Sequence, residues 1–361
     1  MHAGFCVSLA LLAAISLSAA ADLEEVASFP DQQVTGVGAS QRSGRVFVNF
    51  PYWADDHGIS VAEIVDGQPK PFPDEEWNKP GAPGSHFICV QSVVVDDQDN
   101  LWILDPAAPK TKEIVKGGPK LLKIDLETNQ VVQTIPFGED IAPAKSYLND
   151  VRIDTKKNTA FITDSGIGAI VVVDLQSGKA RRLLADHKST KVEPGVTITV
   201  DGKELIDQET NKPPQFASDG IALDTKNGYL YYHPLTGHTL YRIKTADLMN
   251  EKLSDDELGA KVENLGQTPL PDGMLEAANG SIYLTDIEGG AILRRDPTTK
   301  GIERIIADKR LLWPDTLSWG PGSELYVTAS QIQNMPKYNG GRSTRTEPYK
   351  LFKLTGLTPT R

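Results

Sequence analysis

Cysteine is almost absent from this chain, with Cys6 and Cys89 the two examples in 361 residues. Cys6 belongs to an apolar leader, and once that leader is removed Cys89 stands alone. No intramolecular disulfide and no cysteine-built zinc site is then open to the processed chain. A disulfide-free secreted domain is held by core burial, which a chain of this length supplies readily. Long apolar runs are equally scarce, and beyond the leader no segment is apolar for long enough to read as a transmembrane helix. Basic runs are missing too: 37 Lys and Arg face 48 Asp and Glu, for a net charge of −11. That balance argues against nucleic acid or an anionic membrane as partner and suits a small-molecule ligand. The chain also lacks a G-x-S-x-G elbow, a phosphate-cradling glycine loop and an H-E-x-x-H pair.

The leader itself, "FCVSLALLAAISLSAAA" from Phe5, is uncharged and ends in small residues before "DLEE". It reads as a secretory signal peptide over residues 1–21, cleaved after Ala19-Ala20-Ala21, with an N-terminal membrane anchor as the alternative. The expected location is therefore secreted or periplasmic, with no membrane contact after cleavage, and the expected state is a monomer.

What the chain has in abundance is a repeated phrase. "SDGIAL" from Ser218 returns as "PDGMLE" from Pro271 and "PDTLSW" from Pro314, and more worn copies begin at Thr35, Gln91 and Asn149. Each copy runs into a polar turn ("QRSGR", "DQDN", "TKKN", "TKNG", "AANG", "GPGS") and then an alternating strand such as "LWILD" or "IYLTD". Polar turns between β-branched and aromatic runs are hairpin signals. Four copies continue into a further strand and polar turn, as in "AIVVVDLQSGKARRLL". Six units of four antiparallel strands, spaced at about a blade length, predict an all-β, six-bladed β-propeller over residues 22–361. Each phrase is expected to open an innermost strand. The segment near "EEVASF" is expected to close the ring beside "YKLFKL", and only "TADLMNEKLSDDELGAK" to hold a turn or two of helix.

With those blocks in view, "HFICVQSVVVDDQDNLWILD", "YLNDVRID", "AFITDSGIGAIVVVDLQSGKARRLL", "SDGIAL", "YLYYHPLTGHTLYRI" and "PDGM" resemble the yellow/major royal jelly protein family. The likeness runs in the family's block order from about Phe47 to Phe352. It implies a secreted six-bladed propeller. The missing disulfides and compact loops suggest a bacterial-type member, related to L-dopachrome tautomerases. Relatives include proteins that resemble dopachrome-converting enzymes and others that bind amines in the central channel. A more distant likeness joins the chain to gluconolactonase/regucalcin-like propellers. That likeness implies a metal at Asp219 and Asp272 and a substrate contact at Asn149. The acid expected from the first blade is missing, because Gly36 stands there.

The second residues of the last four phrases are Asp150, Asp219, Asp272 and Asp315. If each phrase opens an innermost strand, these carboxylates converge on one rim of the channel. Crowded carboxylates must be partly protonated, solvated or neutralised, and a hard divalent ion such as Ca²⁺ or Mg²⁺ is the simplest neutraliser. The alternative is that each Asp accepts backbone N–H bonds at its strand entrance. Asp150 and Asp272 are the candidates to move a proton. Trp53, Asn149 and His233 are candidates to contact substrate, as are Tyr338, Asn339 and Arg342 in the loop "SQIQNMPKYNGGRSTRTEPYK". His57 and His86 are weaker candidates, and Cys89 reads as a buried strand residue. Two functions fit: a metal-assisted lactonase-type hydrolase or tautomerase, or a non-enzymatic binder of cationic amines.

Overall fold

The computed structural model of the protein describes residues 21–54, 57–345 and 348–357. The leader, and with it the expected cleavage site up to Ala20, lies outside the described residues.

Apart from the first strand, which joins the last, the strands of the six four-stranded antiparallel sheets pair with their sequence neighbours. The first four innermost strands are Gly36–Ala39, Ser92–Val95, Leu148–Asp154 and Ser218–Asp224, and Met274–Glu276 and Pro314–Trp319 complete the set. These strands touch one another in turn around the ring, so the expected six-bladed propeller is what the chain forms. Each phrase opens an innermost strand, although in the fifth blade pairing starts three residues late, at Met274. The ring closes as expected. Asp22–Phe29 runs antiparallel to Tyr349–Thr355, with Glu25 opposite Phe352 and Phe29 opposite Tyr349. Chain ends that share one sheet cannot separate without breaking that blade.

The core is divided into layers between blades. Phe47 and Val61 of the first blade pack on Val93 and Ile103 of the second. Phe161 and Ile170 of the third pack likewise on Ile221 and Tyr232 of the fourth. A strand covered on both faces need not alternate in polarity, which explains why Ala169–Val173 is apolar and buried throughout. Helix is confined to short pieces. Thr245–Met249 and Asp255–Gly259 fall in the expected stretch, the second started by a capping box between Ser254 and Glu257. Glu75–Asn78 was not expected.

One insertion departs from the blade pattern. Between the third and fourth blades the chain adds a hairpin, Thr199–Val200 with Lys203–Glu204. Its Ile198, Val200 and Leu205 join Trp313, Ile332 and Met335 in a separate apolar cluster. That cluster stands beside the rim where the aspartates emerge, and it shapes the site.

Candidate functional site

Three of the four rim aspartates sit at breaks in strand register. The pairing skips a residue between Leu148 and Val151, between Ser218 and Ile221, and between Pro314 and Leu317. Each skip is a β-bulge, which re-aims a side chain and leaves backbone groups unpaired. In the third, fifth and sixth blades a threonine on the second strand fills the gap. Asp150 N donates to Thr163 Oγ1 (3.2 Å), Asp272 N to Thr285 Oγ1 (3.0 Å) and Thr316 N to Thr328 Oγ1 (3.1 Å). Thr163 Oγ1 then donates to Asp219 O at 2.6 Å, tying the third blade to the fourth. The first two blades carry Gly36 and Ser92 in place of the aspartate, and there the register runs without a skip. Each bulged innermost strand carries a rim aspartate, and in the fifth blade Asp272 precedes the paired strand, which starts at Met274.

The result is a buried acid cluster. Asp150, Asp219, Asp272 and Asp315 are each between 4% and 7% exposed. Asn149 Nδ2 donates to Asp219 Oδ1, and the Asp219 and Asp272 carboxyls hydrogen-bond each other. Trp313 Nε1 donates to Asp272 Oδ2 at 2.6 Å. Beneath them Arg152 Nη2 lies 3.8 Å from Asp150 Oδ2, and the same guanidinium donates to Val151 O and Met274 O, both at 2.8 Å.

Burial dominates the electrostatics, because taking a carboxylate out of water favours its neutral form. Desolvation, then the charges of Asp272, Asp150 and Asp315, hold Asp219 well above the usual carboxylate range. Asp315 is pushed up in the same way. Asp272 rises to about 7, its desolvation opposed by the Trp313 N–H. Asp150 is raised by burial against the pull of Arg152. The Asp219 and Asp272 carboxyls, hydrogen-bonded to each other, therefore titrate as a pair.

Above this floor opens a cavity of ≈ 1080 Å³. Of the residues singled out in the sequence, Asn149, Asp219, Asp272, Asp315 and Trp53 line it. Asp150 does not line it, because it is turned down towards Arg152. Trp53 Nε1 donates to Tyr147 Oη (2.7 Å), which donates to Gln91 Oε1 (2.8 Å), so one wall is a hydrogen-bonded relay. Burial keeps Tyr147 a phenol by pushing its titration well upward. Phe216, Trp313, Ile332 and Met335 supply apolar surface.

Four expected contacts lie elsewhere. His233 is fully buried outside the cavity lining, with Nδ1 2.6 Å from Pro234 O and Nε2 2.9 Å from Thr268 Oγ1. Tyr338 packs into the apolar cluster of the insertion. Asn339 Nδ2 donates to Gln333 O and Met335 O, bracing its own loop. Arg342 is exposed and does not line the cavity. The loop does reach the cavity, but through Ile332, Met335 and Lys337. His57 holds Phe50 O at 3.1 Å, and the exposed-loop His86 sits 3.5 Å from Glu76. Cys89 is buried as expected, with its thiol pushed up to about 12.

The cluster does not fit a resident cation as arranged. Among the described residues no group of three or more His, Cys, Asp or Glu side chains is placed to hold a metal ion. The Asn149 and Trp313 donors already occupy carboxylate oxygens. The missing first-blade acid has a steric reason as well. A Cβ at Gly36 would run into Asn49 Oδ1, so an acidic side chain there requires the Asn49 amide to move.

Among solved structures, the fold resembles a gluconolactonase from Xanthomonas campestris (TM-score 0.57, 12% identity, 95% of this chain and 93% of that one). It also resembles the calcium-binding protein regucalcin from Agrobacterium tumefaciens (TM-score 0.54, 14% identity, 93% and 94%). At such identities the likeness shows the fold alone. In sequence, the chain is 24% identical to major royal jelly protein 7 of Apis mellifera over 197 residues, 52% of this chain and 42% of that protein. It is 24% identical to major royal jelly protein 2 of the same bee over 235 residues, 61% and 43%. The chain thus spans less than half the length of these relatives. The sequence profile of the major royal jelly protein family matches residues 88–345, most of the chain. The protein belongs to the major royal jelly protein family.

Proposed function

We propose that the cavity binds a small ring-bearing molecule and moves a proton on it, a tautomerase-type reaction. The observation that carries this is the Asp219–Asp272 pair on the cavity floor, sharing a proton with Asp272 poised near neutrality. An ionised Asp272 takes a proton from the substrate while the protonated Asp219 gives one to its oxygen. The shift balances without a co-reactant, and the pair ends with the same number of protons. A catalytic carboxyl works best when its pKa lies near the operating pH. Trp313 N–H stabilises Asp272 when it carries the charge. Hydrolysis of a lactone would use the same pair, with water as the added reactant. A divalent cation would first have to displace the shared proton and the Asn149 and Trp313 hydrogen bonds. The location proposed is secreted or periplasmic, from the leader, and the partner a small molecule met by a monomer rather than nucleic acid.

The test is proton NMR in D₂O with a panel of enolisable cyclic carbonyl compounds and lactones. Deuterium entering the α carbon reports proton transfer, and ring opening reports hydrolysis. Asp272→Asn and Asp219→Asn should each abolish turnover and retain binding. A panel that binds without exchange or ring opening would move the binding-protein reading ahead. Its own support is the set of four carboxyl groups around the channel, which suits a cationic amine once ionised.

A further inference from the structure

The charge of the cavity wall above the acid floor runs against the charge of the chain. The whole sequence is acidic at −11, yet the cavity wall above the acid floor gathers Lys112, Lys116, Lys145 and Lys337 against Glu113 and Glu139. Three of these lysines are exposed, and Lys337 is half-buried. Lys337 sits in the turn Pro336–Tyr338, held by Gln208 N donating to its carbonyl at 2.8 Å. Its Nζ lies 4.9 Å from the centre of the Tyr338 ring. Among the described residues it forms no ion pair, although Asp207 and Glu209 act on it from further off. Desolvation lowers its pKa, the sign of an ammonium lacking a close counter-charge. The floor meets a ligand with less negative charge than its four carboxyls would carry in water, since Asp150 lies beside Arg152 and burial favours the protonated forms of Asp219 and Asp315.

We infer that the cavity selects a small ring-bearing monoanion, a carboxylate, with its charge at Lys337 and its ring on the apolar wall of Trp313, Ile332 and Met335. This rests on the proposed small-molecule site and names the ligand class. A single negative charge fits one lysine. A dianion such as a phosphate is disfavoured, because no arginine lines the cavity and a second charge would face the acid floor. A cationic amine would place its ammonium against the lysines on the way in. The positive mouth also steers anions towards an otherwise repelling surface.

The test is calorimetric titration of the purified protein with three probes that share one ring: 4-hydroxyphenylacetate, the neutral alcohol tyrosol and the cation tyramine. The anion should bind about tenfold more tightly than tyrosol, the usual scale of one charge-assisted contact, and tyramine more weakly than both. Added salt should narrow the gap. Lys337→Met should erase the anion's advantage over tyrosol, whereas Lys337→Arg should keep most of it. Thermal melts confirm that both variants are folded. Tyramine binding most tightly, an advantage that survives Lys337→Met, or no binding by any probe overturns the assignment. The acid–base reading fails separately. An advantage lost in Lys337→Met alongside a panel that never exchanges deuterium would leave the anion site standing without the chemistry.

Discussion

Replacing Asp272 by Asn should stabilise the protein at alkaline pH, and the size of the effect follows from burial. Asp272 titrates near 3.8 when unfolded and about 7 in the fold. The folded state therefore holds a proton that the unfolded chain releases, so the stability this group contributes is fully present below the unfolded value. It is lost as pH rises through the folded one. Three units correspond to about 4 kcal/mol once fully developed, of which about 2.5 falls between roughly pH 5 and pH 8. An asparagine cannot ionise, and its carbonyl oxygen can still accept from Trp313 Nε1. The stability of Asp272→Asn relative to wild type should climb by that amount over the same interval. Urea unfolding of both proteins across the range measures the difference, with all shared titrations cancelling. A difference that stays flat, or falls with rising pH, would mean that the carboxyl is ionised in the fold and the shared-proton reading is wrong.

Further outcomes follow from the same site. Arg152→Met should cost about 3–5 kcal/mol by stranding Asp150, and Asp150→Asn combined with Arg152→Met should recover much of it; denaturant midpoints read both. Cys89 should label slowly with a disulfide reagent in the native protein and quickly in urea, because the thiolate is the reactive form and burial opposes it. Melts in chelator and in Ca²⁺ should coincide, since binding to the fold alone would raise the melting temperature with free metal. A rise that Asp219→Asn removes would restore the cation expected from the residues alone.

The fold was legible because a propeller repeats its errors and its signals alike. Any one strand, such as Gly36–Ala39 with its two glycines, reads poorly, but six copies of strand, polar turn and strand correct one another. Ring closure by Asp22–Phe29 was legible for a related reason: the last unit was a strand short, and the first strand had no unit of its own. The helix Glu75–Asn78 was not legible. It is a single turn capped by Asp74, whose side chain accepts from Trp77 N, and one turn leaves no periodic pattern.

The site was legible only in part, because two repeated aspartates share the chain and play opposite parts. The hydrogen-bonding alternative holds for the aspartates that end second strands. Asp105 accepts from the backbone N–H groups of Ile88, Cys89 and Ala107, and Asp164 from those of Tyr147, Gly166 and Ile167. The rim aspartates instead carry side-chain donors and each other, and in the third, fifth and sixth blades a threonine hydroxyl takes the backbone's place as partner of the strand-entrance N–H. That threonine stands in the sequence as the "T" of "FITD", "YLTD" and "YVTA"; it is missing from "WILD" and "VFVNF", whose blades have no rim acid, and also from "YLYYH", whose blade carries Asp219 without it. Arg152 was missed, although its place two residues beyond Asp150 on a strand was a signal that the two share a side. His233 and Tyr338 misled because polarity was taken for exposure to ligand. In the fold, His233 is closed off by Thr268 and Pro234, and Tyr338 fills an apolar cluster. Lys337, one residue before that tyrosine, is the side chain the loop turns to the cavity. A loop has no period from which to read which of two neighbours faces inward.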